Sequence, residues 1–477
     1  MTIFSDRWRA ATVGIVTLFY VVVAAQFMDR LQPLTGDEPF YVMTAISILR
    51  DGDLDESNNY ANRDYDEFYP DDPLPGSWNG WPAFPRTLPP HPATTDLGGL
   101  HTKHGLGLSL LIAIPYEIAD RLGALIVVLT CAVLVAINMY LLARDAHAPP
   151  VWAAAIAIML SVSMPIAPYA ALIFPEIPAA LLLVYTVRRL AAPNNTQLTL
   201  MLTGAAIGFL PWLHQRFVPT TIVLVCIALA NLWRNRELGA AVLALTPVAI
   251  GGFSLIGYNL WLYQSPVQDT ADHAGFNGLA GTANAGFGLL LDAQWGLLIA
   301  APIYILALAG VPFWCRSSHV ARLALLALVP YILVVASYSV WWGEWGPPAR
   351  YLVPIAPFAA GALAVVIGRL ATPGRITLVG LWGVGMVLML VGLFNPQRFY
   401  HQPNGTNNLY AAVDDRLSTS LADRLIAFQP FALAPLNQRT AAGIALIGLL
   451  AAVILAVALL PNATPAATPD PRNRSSD

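Results

Sequence analysis

Apolar runs of about 18 to 25 residues recur along the chain, separated by short polar turns. Each is long enough to cross roughly 30 Å of hydrocarbon as a helix. Spans are expected at about 10–28, 122–143, 151–172, 176–191, 198–213, 217–233, 238–262, 289–312, 320–340, 351–369, 375–394 and 438–460. The pattern predicts an all-α polytopic membrane protein with about 12 transmembrane helices, within 11 to 13. The stretch GLGLSLLIAIPYEIA at 105–119 is too short, and too broken by Pro115 and Glu117, to span. It is expected to lie as an interfacial or re-entrant helix.

Composition agrees with this class. Hydrophobic residues make up 57% of the chain and charged residues only 11%, against about 25% charged in soluble domains. Cys131, Cys226 and Cys315 lie in or beside apolar runs, and their spacing suggests neither a metal site nor a disulfide framework. Arg7 and Arg9 precede an apolar stretch without a cleavage-site pattern, which reads as a retained first span.

Arginine placement orients the chain. With the N-terminus in the cytoplasm, inner turns carry Arg144, Arg188 and Arg189, Arg234 and Arg236, Arg316 and Arg322, and Arg369 and Arg375. Arg472 and Arg474 follow in the tail. This satisfies the positive-inside rule and puts both termini in the cytoplasm. The polar residues then sort to the outer face, where the first external loop, 29–104, carries interfacial helices.

That loop opens with GDEPFYVMTAISIL. Asp37 and Glu38 stand side by side just before Pro39, which suits a helix's first turn. One reading makes Asp37 a helix cap; the other makes the pair a reaction centre. Phe40, Met43 and Ile46 share one face, as in a helix lying at the interface. DGDLDESNNY alternates Asp51, Asp53 and Asp55, but Glu56 and Asn62 stand where a calcium loop needs Gly and Glu, so it reads as a solvated acidic turn.

Further outer segments supply both signs of charge. HTKHG carries Lys103, the only lysine, and His104; Gly105 and Gly107 would let backbone approach a phosphate. Glu176 opens a span between Pro175 and Pro178, and carboxylates at membrane depth are costly and usually functional. LHQRF carries His214 and Arg216; WWGEWGPPARYL carries Glu344 and Arg350. Arginine binds phosphate through a planar fork of donors. Carboxylates for an acceptor beside cations for a phosphate suit sugar transfer from a polyprenyl phosphate.

These motifs, in this order after a first span, resemble an integral-membrane GT-C glycosyltransferase, near the protein O-mannosyltransferase and aminoarabinose transferase branch. GDEPFY resembles the Asp-Glu motif of the first external loop. The resemblance implies Asp37 and Glu38 as catalytic residues, with Asp37 the general base. KHGLGLSLL sits where the family has a Pro-Pro-Leu-like surface helix, though His-Gly replaces the prolines; FPEIP is similar to the acidic site of the second external loop, and GPPARYL to the late external arginine. Donor-phosphate binding then falls to Lys103, His104, Arg350 and Arg216, and substrate orientation to Glu176, Glu344 and His214.

The family is similar in using polyprenyl-phosphate sugars and inverting the anomeric centre. Some members use a divalent metal ion, for which Glu38 and His104 are candidate ligands. The implied layout is a membrane catalytic module over 1–394, an external loop at 395–437, a last span at 438–460 and a disordered cytoplasmic tail at 461–477. Implied partners are the lipid-linked donor, a glycan, lipid or protein acceptor, and the bilayer of the plasma membrane, with no nucleic acid. Competing classes are a transporter or flippase, and a polymerase or ligase of lipid-linked saccharides.

Cysteines placed near Asp55 and Asn404 are expected to react with an impermeant thiol reagent outside intact cells, and one near Arg189 is not. Labelling near Arg189 without permeabilisation would reverse the topology.

Overall fold

The computed structural model describes residues 6–31, 34–69, 87–235, 238–267, 277–402 and 404–460. Residues 70–86, 268–276, Arg236, and 461–477 with Arg472 and Arg474 lie outside the described residues. Among the described residues, regular structure is helical apart from one isolated antiparallel bridge, Pro92 to Thr102.

The helices are α1 (Arg7–Arg30), α2 (Glu38–Ile46), α3 (Ser57–Asn62), α4 (Leu106–Asp145), α5 (Pro150–Ser161), α6 (Ile166–Tyr169), α7 (Glu176–Ala191), α8 (Gln197–Leu213) and α9 (Val218–Asn235). They continue as α10 (Leu238–Tyr263), α11 (Gly278–Leu291), α12 (Leu297–Ala300), α13 (Tyr304–Ser317), α14 (His319–Ser337), α15 (Ala359–Ile367), α16 (Thr372–Phe394), α17 (Asn408–Leu417) and α18 (Leu436–Leu459). Among the described residues, seven helices have the length and apolar content to cross a membrane, and shorter apolar helices accompany them. The chain is a multi-pass membrane protein.

Helix α4 is two helices. Ala119 (φ −148°) and Asp120 (φ 48°) break it, so the 105–119 stretch is separate from the span that follows. The arms fold together so tightly that a Cβ on Gly123 would lie 1.8 Å from the Pro115 carbonyl oxygen.

Three expected spans are interrupted. The 151–172 run stops at Ser161 and resumes as the single turn α6, where Pro165 and Pro168 lack the N–H a continuous helix needs. The 289–312 run breaks after Leu291, where Asp292 accepts from the amides of Gln294 and Trp295, both at 2.9 Å. The 351–369 run becomes regular α-helix only at Ala359, beyond Pro354 and Pro357.

Helix α2 is also a correction. All nine of its residues are buried, so it does not lie half-exposed at an interface. It packs on α4, where Ser109 Oγ donates to the Tyr41 carbonyl at 2.9 Å. Its far end is closed by Glu56, which is 3% exposed and accepts from Thr44 Oγ1 at 2.6 Å.

Burial pushes the Glu56 carboxyl up to about 7 from an ordinary value of 4.5. The folded chain therefore keeps a proton there that the unfolded chain has lost. The stability from that proton is complete below the ordinary value and fades as pH rises through 7. Glu56→Gln should raise the melting temperature above wild type at about pH 8 and leave it unchanged at about pH 4. Equal shifts at both pH values would mean that folding leaves the ionisation of Glu56 unchanged.

Candidate active site

Four chain segments meet at helix ends and bring four predicted residues into one ionic chain. Asp37 precedes α2. Glu176 opens α7. Arg216 lies in the 3₁₀ turn Gln215–Phe217 between α8 and α9, and Arg350 starts the 3₁₀ turn Arg350–Leu352. Glu176 Oε1 accepts from Arg216 Nη2 at 2.8 Å and from Arg350 Nε at 2.9 Å. Arg350 Nη2 donates to Asp37 Oδ2, and Arg350 Nη1 to the Gly343 carbonyl at 3.3 Å.

Asp37 occupies the N-cap position of α2, but its side chain makes no capping hydrogen bond. Its carboxylate turns to Arg350 instead. Gly36 makes this turn possible, with φ at +62°. A Cβ there would lie 2.6 Å from the Trp345 carbonyl oxygen and 3.1 Å from the Phe174 ring. Both the left-handed backbone and the close approach require glycine.

The cations are held from their apolar sides too. The Arg350 guanidinium lies 4.4 Å from the centre of the Phe174 ring, and that of Arg216 4.7 Å from the Tyr351 ring. Glu176 is fully buried, and its Oε2 and Arg216 Nε have no hydrogen-bond partner among the described residues. Side-chain exposure rises along the chain, from 0% at Glu176 through 8% at Arg350 to 25% at Asp37. Burial alone would raise the Asp37 carboxyl, but the Arg350 charge holds it well below the ordinary carboxylate range.

Glu38 has a different position. It is fully buried, its Oε1 accepts from the Ile173 amide at 2.8 Å, and Arg121 is the opposing charge. Arg121 Nη1 in turn donates to the Leu31 carbonyl at 3.0 Å. Glu38 thus ties the turn that carries Asp37 to the segment leading into α7.

A histidine pair flanks Asp37. His104 and His91 stack on Phe40, with ring centroids 5.1 and 3.9 Å away, and His91 Nδ1 lies 3.4 Å from His104 Nε2. Burial pushes His104 down to about 4, so it is neutral at neutral pH. His214 Nδ1 accepts from the Arg216 amide at 3.1 Å; burial and then the Arg216 charge push His214 well below its ordinary range.

Lys103 is half-buried, and its backbone amide donates to the His91 carbonyl at 3.1 Å. Gly105 and Gly107 serve packing. A Cβ on either would lie 2.5 Å from the Leu213 carbonyl oxygen or 2.7 Å from the Trp212 carbonyl carbon. Glu344 is exposed on its turn and has no ion pair among the described residues. The structure does not join it to the ionic chain. Among the described residues no three His, Cys, Asp or Glu side chains gather as a metal site. Glu38 and His104, the candidate ligands, are engaged by different partners.

Pattern reading missed His91, Arg121 and Trp295. Trp295 matters because its carbonyl accepts from the Ala349 amide at 3.1 Å and so fixes the residue before Arg350. A charge at the junction of two apolar runs was the available signal for Arg121; His91, in a proline-rich loop, offered none.

Comparison with solved structures finds proteins of similar fold. The apo structure of ArnT from Cupriavidus metallidurans superposes with a TM-score of 0.50 at 15% identity, covering 94% of this chain and 77% of ArnT. The chain shares its overall fold with that ArnT. ArnT bound to undecaprenyl phosphate gives a TM-score of 0.49 at 14% identity, covering 94% of this chain and 76% of that one. The Archaeoglobus fulgidus oligosaccharyltransferase gives 0.49 at 14% identity over 91% of this chain. This chain spans only 61% of the length of that oligosaccharyltransferase. No family model and no curated protein matches the sequence.

Alanine at position 36 should test the turn. Gly36→Ala must either move Trp345 or shift Asp37, and positive φ for alanine costs roughly 1–2 kcal/mol. The variant should melt lower than wild type. An unchanged melting temperature would show that the turn is not held as described.

Proposed function

We propose that the chain is a glycosyltransferase that moves a sugar from a polyprenyl-phosphate donor to an acceptor hydroxyl, with inversion at the anomeric carbon. The reaction is placed at the outer face of the plasma membrane, with both termini in the cytoplasm. The observation that carries this reading is Asp37 itself: a carboxylate at a helix N-cap, unused as a cap, turned to an arginine where the cluster is most open.

The reading assigns a role to each part. Asp37 takes the proton of the acceptor hydroxyl as its oxygen forms the new bond to C1. The bond from C1 to the phosphate oxygen breaks, and the electron pair leaves on the phosphate. Arg350 and Lys103 receive that charge, with Arg216 behind them, while neutral His104 and His214 can donate hydrogen bonds. A single displacement needs one base and no covalent sugar–enzyme intermediate. Glu176 holds both arginines, Glu38 holds the turn, and Glu344 lies exposed where an acceptor can meet it.

One observation supports this reading over transport. ArnT, whose fold is similar, has been solved with undecaprenyl phosphate bound.

The test is turnover of a polyprenyl-phosphate sugar, followed by release of the lipid phosphate. A positioned base contributes typically 10²–10⁴ in rate. Asp37→Asn should fold normally and lose at least about a hundredfold in turnover. Glu38→Gln, which can still accept from the Ile173 amide, should lose much less. Wild-type turnover per folded Asp37→Asn molecule would remove Asp37 as the base.

A further inference from the structure

Arg350 is held by three acceptors, and only one of them can yield. Glu176 is fully buried and already shared with Arg216. Gly343, at φ +85°, presents its carbonyl from a turn so close to Arg350 that a Cβ there would lie 3.1 Å from the arginine's own Cβ. Phe174 covers the guanidinium face. The guanidinium is therefore fixed, and its Nη2 points toward the more open side, where Asp37 occupies it.

Charge along the chain is balanced. Arg216 and Arg350 offset Glu176 and Asp37, leaving no net charge. An incoming anion at Arg350 must displace an anion already there. A phosphodiester carries one negative charge, so it can replace one carboxylate without disturbing that balance.

Resting on the donor assignment above, we propose that Asp37 fills the donor's phosphate position on Arg350 in the resting protein, and that the phosphate displaces it. Donor binding and base activation are then one event. While paired, the carboxylate is held well below its ordinary range and is a weak base toward an alcohol. Once displaced it loses that partner and becomes more basic. After transfer, Asp37 carries the acceptor's proton, and the released lipid phosphate monoester gains negative charge on Arg350. Passage of that proton to the lipid phosphate returns the phosphate to a single charge and restores the Asp37 carboxylate, which competes the phosphate off. Asp37 thus has a second role, in product release.

The experiment measures binding of polyprenyl phosphate to the full-length protein in nanodiscs. Removing a competing carboxylate should tighten binding, so Asp37→Asn should lower the Kd by about tenfold. Glu117→Gln removes a carboxylate that pairs with Arg50 rather than Arg350, and should leave the Kd unchanged. Equal affinity in wild type and Asp37→Asn would overturn the exchange while leaving the donor assignment standing. Equal tightening in both variants would also overturn it, in favour of a general charge effect. Absence of binding in all three would overturn the donor assignment together with the exchange.

Discussion

One buried carboxylate organises this end of the molecule. Glu176 accepts from Arg216 and from Arg350, each itself largely buried, and through Arg350 the chain reaches Asp37. Taking such charges out of water costs several kcal/mol per ion, offset only by good geometry and further hydrogen bonds. Removing one partner of a buried pair typically costs about 3–5 kcal/mol. The surrounding chain is built to keep the arrangement. Phe174 and Tyr351 cover the guanidinium faces. Tyr169 donates to the Pro347 carbonyl at 2.8 Å, and Tyr331 to the Tyr351 carbonyl at 2.8 Å. The turn on either side of Arg350 is thereby pinned.

A second polar network secures the same turn from the other side. Asp292 is fully buried and accepts from the Phe428 amide at 2.7 Å as well as from its own turn. Gln294 Oε1 accepts from Gln429 Nε2 at 2.7 Å, and Asn407 Nδ2 donates to the Ala293 carbonyl at 2.7 Å. The late loop is thus locked to the segment that ends in Trp295, whose carbonyl holds Ala349 beside Arg350. Here the break in an otherwise apolar run serves the site: a continuous helix would have consumed the amides that Asp292 collects.

Much of this was legible in the sequence, and the reasons for the rest are physical. Membrane class followed from long apolar runs, because hydrocarbon thickness dictates helix length. Asp37, Glu176, Arg216 and Arg350 stood out because charge is expensive beside apolar spans. Their pairing was hidden: Glu176 and Arg350 are 174 residues apart, and only the fold brings them together. The burial of α2 was missed because its apolar face looks the same against lipid or protein. The breaks at Asp292 and before Ala359 were missed because hydropathy does not register hydrogen-bond bookkeeping or the lost N–H of proline.

The most direct measurement is a structure of the protein with a polyprenyl phosphate bound. The account predicts the phosphate within hydrogen-bonding distance of Arg350 Nη2, Glu176 still bridging Arg216 and Arg350, and the Asp37 carboxylate turned away. A phosphate seated elsewhere, with the Asp37–Arg350 pair intact, would contradict it.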